Sequence, residues 1–111
     1  MKVYIPERGD IVLLDFDPAL GHEQKGRRPA LILTVQKLNK FGLCYVLPIT
    51  SKIKGYLTEI TLDYTHKISG VILTNQLRTV DWKIRNIEFV ERVSDEILDE
   101  VNMLLKTMLE L

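Results

Sequence analysis

"GLCYVLPIT", residues 42–50, is a short run rich in aliphatic and β-branched side chains, opened by a glycine and followed by "SKIKG". A run of this kind reads as a β-strand. Pro48 limits regular pairing near its end, which predicts that Thr50 sits where the strand opens into a loop. Outward from it, "GDIVLLDFD" (9–17), "PALILTV" (29–35), "YLTEITL" (56–62) and "GVILTNQL" (70–77) repeat the composition and are separated by Gly, Asn, Lys or Asp. "IEFVERV" (87–93) is interrupted by Glu88, Glu91 and Arg92, so it predicts a strand at a sheet edge or one with a solvated face.

The last segment changes period. Ser94 can cap, Asp95 and Glu96 suit a first helical turn, and Ile97, Leu98, Val101, Leu104, Leu105, Met108 and Leu109 recur at helical spacing. Its apolar face must be buried against the sheet or against another chain. Many short strands with one terminal helix predict a mainly β fold built on a small, strongly curved sheet or barrel. At 111 residues and 46% hydrophobic content, residues 1–111 read as a single domain with a modest core. No charged-then-apolar leader and no membrane-length apolar run is seen, so the expectation is a soluble, cytoplasmic protein without membrane contact. Cys44, the only cysteine, lies inside an apolar run and reads as a small buried hydrophobe.

The formal net charge is zero, but the charge is unevenly placed. Between Gln24 and Lys54 there are seven basic residues and no acidic one, whereas Glu88, Glu91, Asp95, Glu96, Asp99 and Glu100 follow with only Arg92 against them. Screening confines fields to about 10 Å at ordinary salt, so a local basic region can attract phosphates within a neutral molecule.

The loop "GHEQKGRRP" (21–29) concentrates the chemistry. Gly21 and Gly26 permit tight turns, and Pro29 biases Arg28 toward an extended conformation, which aims its side chain. A guanidinium can meet two phosphate oxygens at once. Thr50 and Ser51 can donate to phosphate oxygens, and Lys52 and Lys54 follow them. In "LTNQLRTVDW" (73–82), Asn75 and Gln76 are amides able to read base edges, as is Asn39 elsewhere; Trp82 either stacks a base or fills the core. The chain holds no phosphate-binding P-loop, zinc-protease or nucleophile-elbow motif, and His22 and His66 are too few and isolated for a metal site. The expectation is side-chain chemistry with no metal and no cofactor.

Three blocks, "RGDIVLLDFDPALGHEQKGRRPALIL" (8–33), "VLPITSKIKGY" (46–56) and "GVILTNQLRTVDW" (70–82), together with the final amphipathic helix, closely resemble the MazF/PemK/Kid family of toxin endoribonucleases over almost the whole chain. The resemblance implies an SH3-like β-barrel and a homodimer. It also implies metal-independent cutting of single-stranded RNA, usually at a short sequence, with inhibition of translation and growth. The implied partner is a cognate antitoxin whose acidic, flexible segment blocks the RNA groove; any contact with DNA passes through that complex.

Carried onto this chain, the resemblance places the catalytic arginine at Arg28, the threonine at Thr50, and further functional positions at Glu23 and His22. The chain departs from the Kid pattern within "LTNQ", where an arginine and an aspartate with acid and base roles give way to uncharged residues. The set Glu23, Arg28 and Thr50 is therefore preferred, with His22 a close second as base or RNA contact. A carboxylate is a weak base at neutral pH unless desolvated, and an imidazole is better matched. Arg28 stays protonated and serves as an electrostatic group. Lys25, Arg27, Ser51, Lys52 and Lys54 are expected to hold the RNA backbone. A noncatalytic alternative is a CcdB-like inhibitor of DNA gyrase, which shares this kind of barrel and dimer. Such inhibitors rely on aromatic and small residues at the extreme C-terminus, whereas this chain ends "MLEL".

Overall fold

A computed structural model describes residues 3–17, 21–23 and 26–111. The elements follow in the order β1 (Asp10–Asp15), β2 (Arg27–Ile32), α1 (Gln36–Asn39), β3 (Leu43–Thr50), β4 (Glu59–Thr61), β5 (Val71–Leu73), β6 (Arg78–Asp81), β7 (Glu88–Arg92) and α2 (Asp95–Leu109). All strand pairs are antiparallel, in the order β4-β5-β3-β2-β1-β7, with β6 also on β3. The mainly β class with a C-terminal helix is the expected one.

The three central strands are covered on both faces. Registers Ile11↔Leu31 and Leu31↔Leu47 align a row that packs with Ile72, Ile97 and Val101, the last two from α2. The intervening residues Val12, Leu14, Ala30, Ile32, Cys44 and Val46 face the other way and pack with Phe16, Val80 and Trp82. Two-sided burial explains why these strands read as continuous apolar runs rather than alternating ones. Edge strand β7 keeps Glu88, Phe89 and Arg92 exposed, as its interrupted sequence predicts.

β3 organises the sheet. Along one edge it pairs with β2; along the other, Leu43–Val46 pairs with β6 and Ile49–Thr50 with β5. As expected, Thr50 is where β3 ends; Pro48 stays in register with Ala30 and falls between the β6 and β5 pairings, where a missing N–H is tolerated. β6 and α1 were not expected. Within β6, period-2 alternation buries Val80 while Thr79 is exposed.

Trp82 is 3% exposed and its indole Nε1–H donates to Asn39 O (2.7 Å), which selects its core reading over base stacking. Asn39 is fully buried, and its amide donates to Pro6 O and Thr34 O (both 2.8 Å). It is a structural bracket and not a base reader. The Ser94 hydroxyl accepts from Ile97 N (3.3 Å) to cap α2 as expected. Among the described residues no helix is long and apolar enough to cross a membrane.

Deleting a side chain from the central row should cost about 2–5 kcal/mol, so Leu47→Ala should lower the urea midpoint without a large change in slope. Burial pushes the Cys44 thiol up to about 12. At pH 8 the native thiol should react with a disulfide reagent at least about 10³-fold more slowly than the urea-unfolded chain, through its small thiolate fraction and its burial.

Candidate nucleic-acid cleft

Where β3 ends beside β5, the chain opens into a cleft of about 410 Å³ lined by His22, Thr50, Lys52, Lys54, Tyr56, Thr58, Glu59, Leu73, Asn75 and Gln76. Thr50 is placed by its pairing with Val71 and is 5% exposed; its hydroxyl oxygen accepts from Lys52 N (3.1 Å), which turns the chain out of the strand. The following loop is folded around one carboxylate. Glu59 accepts from Lys54 N (3.2 Å) and Gly55 N (2.8 Å), and its own N–H donates to Tyr56 O (3.0 Å). Lys54 stands 6.0 Å from the centre of the Tyr56 ring, within cation–π range.

The opposite wall comes from the end of β5. Buried Thr74 donates through both its N–H (3.1 Å) and its hydroxyl (2.6 Å) to Thr58 O, locking the chain between β3 and β4 to the β5 end. Beyond it, Gln76 donates to His22 O (3.5 Å) and joins the β1–β2 loop to the same cleft. The root of that loop is held by Arg85, which donates to Asp15 O and Asp17 O (3.1 Å each), and by Arg78, whose guanidinium carbon lies 5.2 Å from the Phe16 ring centre. Gly21 and Gly26 have φ of +61° and +81°, the left-handed turns expected of them.

The structure therefore gathers His22, Thr50, Lys52, Lys54, Asn75 and Gln76 around one cleft. Glu23 is exposed in the same turn, Ser51 is exposed beside Thr50, and Arg28 is half-buried on β2 opposite Leu14; none of the three is among the lining residues. Lys25 lies outside the described residues. Arg27 is committed within the fold: its guanidinium donates to Asn86 O (2.7 Å) and pairs with Asp15 (3.2 Å) and Glu88 (3.3 Å), tying β2 to β1 and β7. The linear sequence missed Glu59, Tyr56 and Arg85. Their roles depend on a turn and on a 68–70-residue contact between Arg85 and the loop root, which spacing does not display. Among the described residues, no group of three or more His, Cys, Asp and Glu side chains is arranged to hold a metal ion.

Residues 7–109 match the model of a family described as the PemK-like, MazF-like toxin of type II toxin–antitoxin systems. The endoribonuclease toxin ChpB of Escherichia coli K12 is 39% identical over 110 residues, covering 94% of each chain. The endoribonuclease toxin MazF of the same organism is 40% identical over 83 residues, 74% of each chain. The crystal structure of MazF from Deinococcus radiodurans superposes with a TM-score of 0.94 at 40% identity, over 98% of this chain and 100% of that one. A MazE-MazF crystal structure from the same organism matches with a TM-score of 0.89 at 40% identity, covering 98% and 99%.

Glu59→Ala should release the loop amides without unfolding the sheet. Hydrogen exchange at Lys54 and Gly55 should quicken by about tenfold or more, the equivalent of about 1.4 kcal/mol of lost protection, while β1–β3 amides keep their rates.

Proposed function

The chain belongs to the PemK-like, MazF-like toxin family of type II toxin–antitoxin systems and is an endoribonuclease toxin of it; we propose that it cuts single-stranded RNA in the cleft at the open end of β3. The observation that carries this reading is convergence. Three separate segments supply a hydroxyl, two ammonium groups, an imidazole and two amides to one polar groove, which is the inventory a phosphodiester flanked by bases requires.

The RNA supplies its own nucleophile. Its 2′-oxygen attacks the adjacent phosphorus, the bond to the 5′-oxygen breaks, and the products are a 2′,3′-cyclic phosphate and a 5′-hydroxyl. A base must take the 2′-proton, and the 5′-oxygen must gain one. His22 is preferred over Glu23 as the base, because His22 lines the cleft and its backbone is joined to Gln76, while Glu23 of the same turn is not among the lining residues. Thr50 donates to a phosphoryl oxygen. Arg28 neutralises the crowded phosphorane, a role supported by family resemblance and by its place on the strand that follows the His22 loop. Lys52 and Lys54 hold the backbone, with Ser51 beside them, and Asn75 and Gln76 read base edges. Arg27 is left out of the RNA surface because two carboxylates already meet its charge. No step requires a metal or cofactor.

Cutting messenger RNA in the cytoplasm stops translation and growth. Control falls to a cognate antitoxin, supported by the MazE-MazF complex of a 40%-identical relative; an acidic flexible segment would compete with RNA for the lysines of the cleft. The active form is a homodimer. It is supported by an apolar groove at α2 lined by Leu33, Tyr45, Leu77, Leu105, Leu109 and Leu111, and light scattering should report twice the 12.8 kDa chain mass.

In excess EDTA the protein should cleave mixed-sequence single-stranded RNA and leave cyclic phosphate ends. Intact RNA together with blocked gyrase would support the noncatalytic alternative, and cleavage that returns only with a divalent metal would refute the mechanism. Arg28→Ala should lose about 10²-fold or more in rate while remaining folded. His22→Ala should lose more of the initial cleavage rate than Glu23→Ala.

A further inference from the structure

Gly70, which no step above uses, lies against the backbone of Thr50. Its φ is +122°, and a Cβ placed on it would overlap the Thr50 carbonyl oxygen and stand 2.8 Å from the Thr50 carbonyl carbon and 3.2 Å from Cα of Ser51. All three neighbours are backbone atoms, so no rotamer change could relieve the contact. Gly70 also precedes Val71, the register partner of Thr50, and its carbonyl accepts from Leu62 N (3.0 Å). It is therefore held on one side by Leu62, the residue after β4, and pressed on the end of β3 on the other.

The turn leading into Gly70 is equally fixed. The Glu91 carboxylate of β7 accepts from Lys67 N (2.9 Å) and Ile68 N (2.8 Å). His66 Nε2 accepts from Ser94 N (3.1 Å) at the start of α2, while its Nδ1 lies 3.0 Å from Asp63 Oδ1. A strand edge and a helix cap thus grip the turn, and a side chain at position 70 would push Thr50 and Ser51 rather than move away from them.

We propose that Gly70 is a positioning residue: its missing side chain lets the clamped 63–70 turn seat the Thr50–Ser51 peptide so that the Thr50 hydroxyl meets the RNA phosphate. The proposal rests on Thr50 touching the substrate. Displacing a positioned group by about 1 Å can cost on the order of 10²-fold in rate, so the effect falls on kcat rather than on the lysine-dominated binding of RNA.

The test compares Thr50→Ala, Gly70→Ala, the double variant and Gly42→Ala in the full chain. Gly42 has a similar φ of +111° with nothing within 4 Å of a built Cβ, so it carries the backbone strain without the contact. Thr50→Ala and Gly70→Ala should each lower kcat by about tenfold or more with KM within about threefold. The double variant should be no worse than Thr50→Ala by more than about twofold, and Gly42→Ala should keep its kcat. A folded Gly70→Ala with full kcat beside an impaired Thr50→Ala overturns the positioning role alone. Full kcat in Thr50→Ala overturns the reading beneath it. Equal losses in Gly70→Ala and Gly42→Ala assign the effect to strain and also overturn it. Should Gly70→Ala not fold, Glu91→Gln replaces one acceptor oxygen with a donor and loosens the same turn; a severalfold fall in kcat supports the proposal, and wild-type kcat contradicts it.

Discussion

Burial of β1, β2 and β3 on both faces is the constraint from which the rest of the molecule follows. Ile11, Leu31 and Leu47 face α2, while Val12, Ile32 and Val46 face Trp82 and Val80. Each fully buried aliphatic side chain contributes about 1.5–3 kcal/mol, and together they leave these strands little freedom to slip, since a one-residue shift would exchange the two faces. β3 is the longest strand, and two different strands must share one of its edges to close the structure. Thr50 is the last residue of that strand. It inherits rigidity from the core and borders the loop where the polar cleft begins.

The cleft illustrates how a neutral chain can gather basic side chains in one place. The long basic stretch of sequence does not act as one patch: Arg27 is neutralised within the sheet, whereas Lys52 and Lys54 reach the cleft. Glu59, the carboxylate among them, is used to fold the backbone through Lys54 and Gly55. Anionic groups elsewhere do the same work, as Glu91 does for the 63–70 turn. Asp63 accepts from the Thr65 hydroxyl and amide, which holds its carboxyl below the usual carboxylate range, and His66 adds to the effect.

Much of this was legible in the sequence because it depends on local pattern. Ser94, the acidic first turn and the spacing from Ile97 to Leu109 define α2, and the apolar runs mark β1, β2, β3 and β5. Gathering His22, Thr50, Lys52, Lys54, Asn75 and Gln76 around one cleft required the family resemblance, since periodicity cannot bring residues 22 and 76 together. The misses share a cause. Asn39 looked like a base reader, and Trp82 stood open between stacking and core, because their polar atoms are visible in sequence while the buried carbonyls that satisfy them are not. Pro48 marked the strand end at Thr50 correctly, but the change of partner along β3 that accommodates it is a tertiary fact.

The central claim is that RNA lies in the cleft at the end of β3. Amide and side-chain shift mapping with a short single-stranded RNA, methylated at every 2′-oxygen so that it binds without being cut, tests it directly. The largest perturbations should fall on His22, Thr50 to Tyr56 and Leu73 to Gln76. Perturbations centred instead on the apolar groove of Leu33, Tyr45 and Leu105, with the cleft silent, would contradict the account.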